Sequence, residues 1–367
     1  MDLVRLAGRY RLQEKVGSGS FSMSGINWDY VWILTQNCIG DVTVYLARDI
    51  ILGQTVVIKL EPIGTSQHML EHEYSVYGKL GGGLGIPHVR WFGTETGFNA
   101  MAIDCLGPSL ENIFTHHRYQ FTRRTILTIA SQLVSDSTLQ VDHELWTNRW
   151  HVQLHCLRFI HSHNLIHCDL KPSNIVMGVG IQADVVHLID FGLSKEFRDA
   201  KTHRHIPMIP HTKPYSLVGT AIFASINSHM GLELGRKDDL ESLAYVLIYL
   251  LHGALPWQGF SSLEILETKK RISPSDLCHG LPVEFCMFFE HCRSLPFDHK
   301  PDYEHFINLF DSLLHHEGPS NGPIFDLEAN GKAVELLVQS DSTRSRDPKK
   351  IKKSSKRKAS LKLHTRR

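Results

Sequence analysis

Paired cysteines are missing from this chain. Its seven cysteines stand at 38, 105, 156, 168, 278, 286 and 292, and no two form a C-x-x-C pair. That rules out the usual spacing of a structural zinc site and points to free thiols in a reducing setting. Histidine is plentiful, with H-S-H at 161–163 and H-R-H at 203–205. No cysteine or carboxylate completes a ligand set beside either, so a metal site built on histidine is not expected. Long apolar runs are missing too. No stretch reaches the length of a bilayer span, and the opening M-D-L-V-R-L-A-G-R-Y-R-L has no apolar leader core. The closing K-L-H-T-R-R carries no prenylation motif, so neither a span nor an anchor is expected.

Net charge is nearly absent, at +1, but it is unevenly spread. Residues 344–367 hold twelve Lys and Arg against one acidic residue, leaving 27 basic and 37 acidic residues in the rest of the chain. A tail so basic and so poor in apolar residues is expected to be disordered. It reads as a nuclear-import signal that an importin would take, placing the protein in cytoplasm and nucleus. No aromatic residue is interleaved to stack on bases, so nucleic-acid binding is not expected. With 42% hydrophobic and 21% charged residues over 367 positions, the chain can build one large two-lobed domain.

The order of elements gives the fold class. Y-R-L-Q-E-K-V-G-S-G-S-F alternates and then reaches a glycine turn, and G-D-V-T-V-Y-L-A-R-D and Q-T-V-V-I-K-L-E-P follow as β-rich runs. Residues 67–80 have helical spacing and stop at Gly81-Gly82-Gly83. Two more strands are expected across 85–107. From Pro108 the chain turns helical, and 238–253 is apolar nearly all round, which predicts a buried helix closed by Gly253. The expectation is an α+β, two-lobed architecture, a small β-rich part with one helix followed by a larger helical part.

Four features carry chemistry. Val16, Gly17, Ser18 and Gly19 form a glycine loop whose backbone can approach a phosphate, although a plain hairpin turn reads the same way. Lys59 ends a buried strand and needs a partner, which Glu73 on the next helix can supply. The segment L-I-H-C-D-L-K-P-S-N-I-V places Asp169, Lys171 and Asn174 together. A carboxylate beside an attacking hydroxyl, a cation at a moving phosphoryl group and an oxygen ligand for a metal are what phosphoryl transfer requires. Asp190 in H-L-I-D-F-G-L-S can hold Mg²⁺, with Gly192 freeing the backbone to turn.

In this order the features resemble a eukaryotic protein kinase, and the lysine two residues after the aspartate suits the Ser/Thr class. The segments G-T-A-I-F-A-S-I-N-S-H-M-G, R-K-D-D-L-E-S-L and L-G-P-S-L-E-N-I-F narrow the resemblance to the casein kinase 1 family. The likeness implies a bilobal kinase domain over 9–315, with an N-lobe of 9–106 and a C-lobe of 107–315. An extension (316–343) and the basic tail (344–367) follow. It implies ATP and Mg²⁺ as cofactors, and a monomer acting on Ser or Thr of proteins in acidic or primed contexts. By the same likeness Lys59 and Glu73 form the ion pair that holds the ATP phosphates, and Asp169 is the catalytic base. Lys171 and Asn174 assist it, and Asn174 and Asp190 bind the metal. Ile103 is the gatekeeper, and Asp104 to Leu106 form the adenine hinge. Asp239 is expected to anchor the catalytic loop.

Three departures matter. Cys168 replaces the arginine of H-R-D, which predicts activity without activation-loop phosphorylation and a buried, structural thiol. Ile222 stands where the family has an arginine for a priming phosphate, so a weakened preference for primed substrates is expected. Two segments, 22–39 and 134–153, interrupt the pattern, the second inside what should be one continuous helix. They read either as surface insertions or as retained introns, since Val134-Ser135 can be encoded by a splice-donor sequence and Gln153 by CAG. The rival function is a pseudokinase or scaffold whose catalysis the two inserts disable.

Overall fold

The computed structural model describes residues 5–18, 42–64, 68–83, 85–134, 156–208 and 217–317. The chain divides into two compact units, Met1–Pro319 and Ser320–Arg367, and every described residue lies in the first. The insert 22–39, Gly19 and the basic tail lie outside the described residues.

The first unit begins with six antiparallel strands: β1 (Arg5–Leu6), β2 (Tyr10–Ser18), β3 (Thr43–Asp49), β4 (Thr55–Pro62), β5 (Val89–Glu95) and β6 (Phe98–Asp104). Their order in the sheet is β1-β2-β3-β4-β6-β5. Period-two alternation in β4 explains both of its faces. Val56, Ile58 and Leu60 join Leu6, Tyr10, Ala47, Ala100 and Ala102 in one apolar cluster. Lys59 and Glu61 point the other way, toward helix α1 (Met69–Leu80).

Two side chains of that β4 face hold α1 in place. The helix has no capping bond from His68 at its N-terminus. Instead the Glu61 carboxylate accepts from the Met69 N–H at 2.9 Å and the Leu70 N–H at 3.4 Å. An anion at that end satisfies orphan donors and suits the helix dipole. One turn further on, Lys59 reaches Glu73. Gly81, at φ +59°, ends the helix by returning its N–H to the Tyr77 carbonyl.

Of the glycine turn expected at the end of β2, the described residues include Gly17 but not Gly19. Gly17 lies within the strand, opposite Val44, where the register shifts between Lys15 and Gly17. A bulge there accounts for a glycine inside a strand.

Helices dominate after β6. They are α2 (Leu110–His116), α3 (Arg123–Val134), α4 (Cys156–Ser162), α5 (Ile226–His229), α6 (Arg236–His252), α7 (Ser262–Arg271), α8 (Pro274–Leu277), α9 (Val283–Ser294) and α10 (Tyr303–His316). Four short strands lie between α4 and α5: β7 (Leu165–Ile166), β8 (Ile175–Met177), β9 (Val186–Leu188) and β10 (Lys195–Glu196). β7 pairs with β10, and β8 with β9. α6 is buried without a break from Asp238 to Leu250, as its composition predicts, and Gly253 closes it at φ +84°. Phe288 of α9 packs on Phe306 and Phe310 of α10 with ring centroids 4.9 and 5.4 Å away. Each such ring contributes about 1.5–3 kcal/mol of burial. The single helix expected across the second insert is described as two, α3 reaching Val134 and α4 starting at Cys156, and 135–155 lies outside the described residues.

Candidate active site

Strand register lines up the first site residues. Gly17 pairs with Val44, and Val44 with Lys59, so the glycine sits two strands, or about 10 Å, from the lysine. Val57 pairs with Ile103, which puts Ile103 on the same sheet face as Lys59. Val16 and Ser18 flank Gly17 in β2, and nothing described adds to them. β6 ends at Asp104, whose carboxylate takes the Arg90 Nε at 2.5 Å and the His88 N–H at 3.0 Å. Leu106 follows, and the Gly107 N–H donates to the Met177 carbonyl at 2.8 Å, joining this connection to β8.

Lys59 Nζ donates to both Glu73 oxygens, at 2.7 and 2.9 Å, and stands 3.8 Å from Asp190 Oδ1. Glu73 is only 4% exposed. Burial pushes its carboxyl above the usual range, and the Lys59 ammonium pulls it back. The lysine therefore bridges two carboxylates that arrive from different elements. α1 is fastened to the same region twice more. His72 Nε2 meets the Ser194 carbonyl at 2.6 Å, and Tyr77 stacks edge-on against Phe191 at 5.0 Å.

Asp190 takes the turn itself. It lies at φ +67°, whereas Gly192 is not among the positive-φ residues. The expectation that Gly192 would free the backbone is thus corrected, since aspartate tolerates the left-handed region better than most residues. Phe191 is fully buried beside it, 5.0 Å from the His167 ring.

Asp169 is the hub of the second cluster. Its Oδ1 accepts from the Thr220 N–H and the Thr220 hydroxyl, both at 2.8 Å. Its Oδ2 is 2.7 Å from Lys171 Nζ and 3.3 Å from Asn174 Nδ2. Asn174 Nδ2 also donates to the Asp169 carbonyl at 2.8 Å, and Lys171 Nζ to Thr220 Oγ1 at 3.0 Å. Gly219 makes this approach possible, because it lies at φ +86° and a Cβ there would meet the Cys168 carbonyl at 2.5 Å. Asn174 also ties the clusters together, its carbonyl accepting from the Ile189 N–H at 3.0 Å.

The loop carrying Asp169 hangs from Asp239 of α6. Asp239 Oδ2 accepts from the His167 N–H at 2.8 Å and Oδ1 from the Cys168 N–H at 2.9 Å. His161 Nε2 adds a third bond at 2.9 Å, while its Nδ1 meets the Tyr303 hydroxyl. Burial works against ionisation of Asp239, but His161, His167 and the backbone donors outweigh it and hold the pKa below the ordinary carboxylate value. Cys168 packs with Ile166, Phe197 and Leu234, and burial pushes its thiol well above the usual value. It is an apolar packing residue, as expected.

Lys59, Glu73 and Asp190 therefore form one cluster and Asp169, Lys171 and Asn174 a second one linked to it. Ile103 shares the sheet face of Lys59, and among the described residues Val16, Gly17, Ser18, Asp104 and Leu106 join neither cluster. Sequence reasoning missed Thr220, Glu61 and the His161–Tyr303 pair. Thr220 lies in the G-T-A segment that bears Ile222, so that segment was the available signal. His161 belongs to the H-S-H weighed as a metal ligand, and it serves Asp239 instead. Among the described residues no group of three His, Cys, Asp or Glu could hold a metal ion, and no helix is long and apolar enough to cross a membrane.

A carboxylate set beside an ammonium and a hydroxyl can take a proton and neutralise an incoming anion. Asn174 spends its amide nitrogen on Asp169, so its amide oxygen is the atom that can act as a metal ligand. A side-chain amide oxygen and a carboxylate, as Asn174 and Asp190 supply, are hard oxygen donors of the kind Mg²⁺ takes when phosphates complete its shell. The family model for the protein kinase domain matches residues 127–316, from within α3 to the end of α10 and just over half of the chain. The Asp169 loop, Asp190 and the Asp239 anchor all fall inside that match, and the chain belongs to the protein kinase family.

Proposed function

We propose that the chain is a Ser/Thr protein kinase of the casein kinase 1 type. It moves the γ-phosphoryl group of ATP to a Ser or Thr hydroxyl of a protein, releasing ADP and a proton. The observation that carries this reading is Asp169, held by Thr220 and Asn174 with Lys171 at 2.7 Å. Asp169 orients the hydroxyl and accepts its proton. Lys171 lies where it can meet the γ-phosphate, and Lys59, fixed by Glu73, where it can meet the α- and β-phosphates. Asn174 and Asp190 would hold Mg²⁺, which supplies charge neutralisation across the phosphates when bound. Ile103 and the Asp104–Leu106 stretch would bound the adenine. Substrates are proteins with acidic contexts, the preference for primed ones being weakened, and the kinase acts as a monomer in cytoplasm and nucleus with the basic tail read by an importin.

The test is casein phosphorylation by three purified proteins: the full chain, the chain lacking 22–39 and 134–153, and the shortened chain with Asp169→Asn. Activity in the first two and none in the third is the expected result. Activity in the shortened chain alone would make the full polypeptide a pseudokinase, and activity surviving Asp169→Asn would remove the assigned base.

A further inference from the structure

Outside the two clusters, the end of α4, the start of α6 and the start of α10 enclose a cavity of about 280 Å³. Arg158, Arg198, Arg236 and Lys300 line it together with the hydroxyls of Ser162 and Tyr303, and no carboxylate does. Like charges gathered this way repel unless an anion joins them.

Among the described residues the local partners cancel only part of that charge. Arg236 is 9% exposed, its guanidinium 4.6 Å from the Phe197 ring centroid and its Nη2 on the Asp298 carbonyl at 2.8 Å. Its Nε is buried and donates to nothing among the described residues. A buried donor left unmade is costly, and a ligand supplying an acceptor removes the cost. Arg198 donates its Nε to the Asn164 side chain, a neutral partner. Lys300 has no anionic partner among the described residues, and the Asp298 carboxylate pairs with His299 at 3.1 Å. Of the acids nearby, Glu304 pairs with Arg158 at 2.6 Å, and the Asp298 carboxylate acts on Arg236 through space without a hydrogen bond to it among the described residues. His161, also in the wall, is taken up by Asp239 and Tyr303.

We infer that this cavity is a phosphate-binding site, taking a tetrahedral dianion that is either free or carried on a phosphoserine side chain. Guanidinium forks converging from separate elements match phosphate oxygens better than a flat carboxylate. The volume sits just below the range of drug-sized pockets, which suits one phosphate group and its linker rather than a nucleotide. The site is distinct from the Asp169 cluster, and its occupancy does not depend on the chain being an active kinase.

Calorimetric titration of the full chain tests it with three probes: inorganic phosphate, a short neutral peptide bearing phosphoserine, and the same peptide with serine. Saturable binding of a phosphate-bearing probe is expected, weakened about tenfold or more by Arg198→Gln and by Lys300→Gln. Arg271→Gln, on an exposed position of α7, should leave it unchanged. A phosphopeptide that binds tighter than inorganic phosphate assigns the site to phosphoproteins, and equal binding assigns it to the free ion. Should Arg198→Gln fail to fold, Lys300→Gln decides alone, because Lys300 is exposed. Absence of saturable binding, or binding that the cavity substitutions leave untouched, overturns the inference.

Discussion

The Thr220 hydroxyl lies 2.8 Å from Asp169 Oδ1 and 3.0 Å from Lys171 Nζ, so one side chain of the 217–225 segment locks both members of the D-x-K pair. Losing that hydroxyl frees the Asp169 carboxylate to rotate, although the Thr220 N–H still holds it. Thr220→Val keeps the shape and should lower kcat about tenfold with little change in peptide KM, the cost of one hydrogen bond to a charged group. Thr220→Ser should restore most of the rate. Steady-state kinetics of the three proteins decides, and equal kcat values would reduce Thr220 to packing.

Asp239 links the same loop to the most buried helix. Asp239→Asn loses the charge that two backbone N–H groups and His161 face, and a cost of about 3 kcal/mol is expected in urea unfolding at pH 7. The pH dependence has a definite sign. A carboxylate held below its unfolded value contributes stability above that value, and the contribution fades as pH falls through the folded pKa. The gap between the wild-type chain and Asp239→Asn should therefore be full at pH 6–7 and narrow below about pH 4. A gap that stays constant to pH 3 would show that shape, not charge, is at work.

The D-x-K-x-x-N spacing was legible because its chemistry is local: Asn174 is five residues from Asp169 and bonds to it directly. The same holds for α6, whose unbroken apolar run has one physical solution. Thr220 was hidden because it lies 51 residues from its partner, and Tyr303 lies 142 from His161. No periodicity reports such contacts, since the folded chain alone creates them. The turn at Asp190 was misread for a different reason. Glycine is the commonest residue at positive φ, yet the aspartate adopted it. The interrupted glycine loop hid the bulge at Gly17 in the same way, since pattern alone cannot tell a strand bulge from a turn.

Lys59 and Glu73 form a pair that should behave differently in stability and in activity. Lys59→Met leaves Glu73 buried without its cation, and a loss of about 3 kcal/mol is expected. Adding Glu73→Leu removes the stranded carboxylate and should recover most of that stability. Activity should stay absent in both, because neither keeps the ammonium beside Asp190. A double-mutant cycle in urea, run beside a casein assay, separates the two effects. If the double variant is no more stable than Lys59→Met, the pair does not couple.

Lys269 of α7 gives a second pH signature. It is fully buried, with Nζ on the Ala221 carbonyl at 2.9 Å and the Ala224 carbonyl at 2.7 Å, beneath the segment that carries Thr220. Burial lowers its pKa to about 7, Glu241 opposing and Arg293 adding to the fall. His229 Nε2 lies 3.4 Å away, and the Tyr245 and Trp257 rings cover the ammonium at 4.6 and 5.2 Å. From about pH 7 to the ordinary 10.5 the unfolded chain holds the extra proton, so this group makes stability rise with pH across that window. Urea midpoints of the wild-type chain relative to Lys269→Met should therefore climb between pH 7 and pH 10. A flat difference would mean that the ammonium stays charged in place.

The weakened priming preference proposed above rests on where the remaining cations point. Ile222 stands where the resemblance to casein kinase 1 puts an arginine, and its carbonyl takes the Trp257 Nε1–H at 2.9 Å. The only basic residues in the following stretch, F-S-S-L-E-I-L-E-T-K-K-R-I, are Lys269, Lys270 and Arg271. Lys269 faces inward, Lys270 lies 3.5 Å from Glu267, and Arg271 Nε donates to the Glu267 carbonyl at 3.3 Å. A substrate phosphate arriving at Ile222 thus meets an apolar side chain, while the α7 cation that reaches this segment, Lys269, is buried on the Ala221 and Ala224 carbonyls. Two peptides differing only in a phosphoserine upstream of the target serine should be phosphorylated with kcat/KM values within about threefold of each other. Ile222→Arg should raise that ratio about tenfold, the effect of one charge-assisted contact. A large ratio in the wild-type chain would place the priming phosphate on other cations, with the Arg198–Arg236–Lys300 cavity the next place to test by substitution.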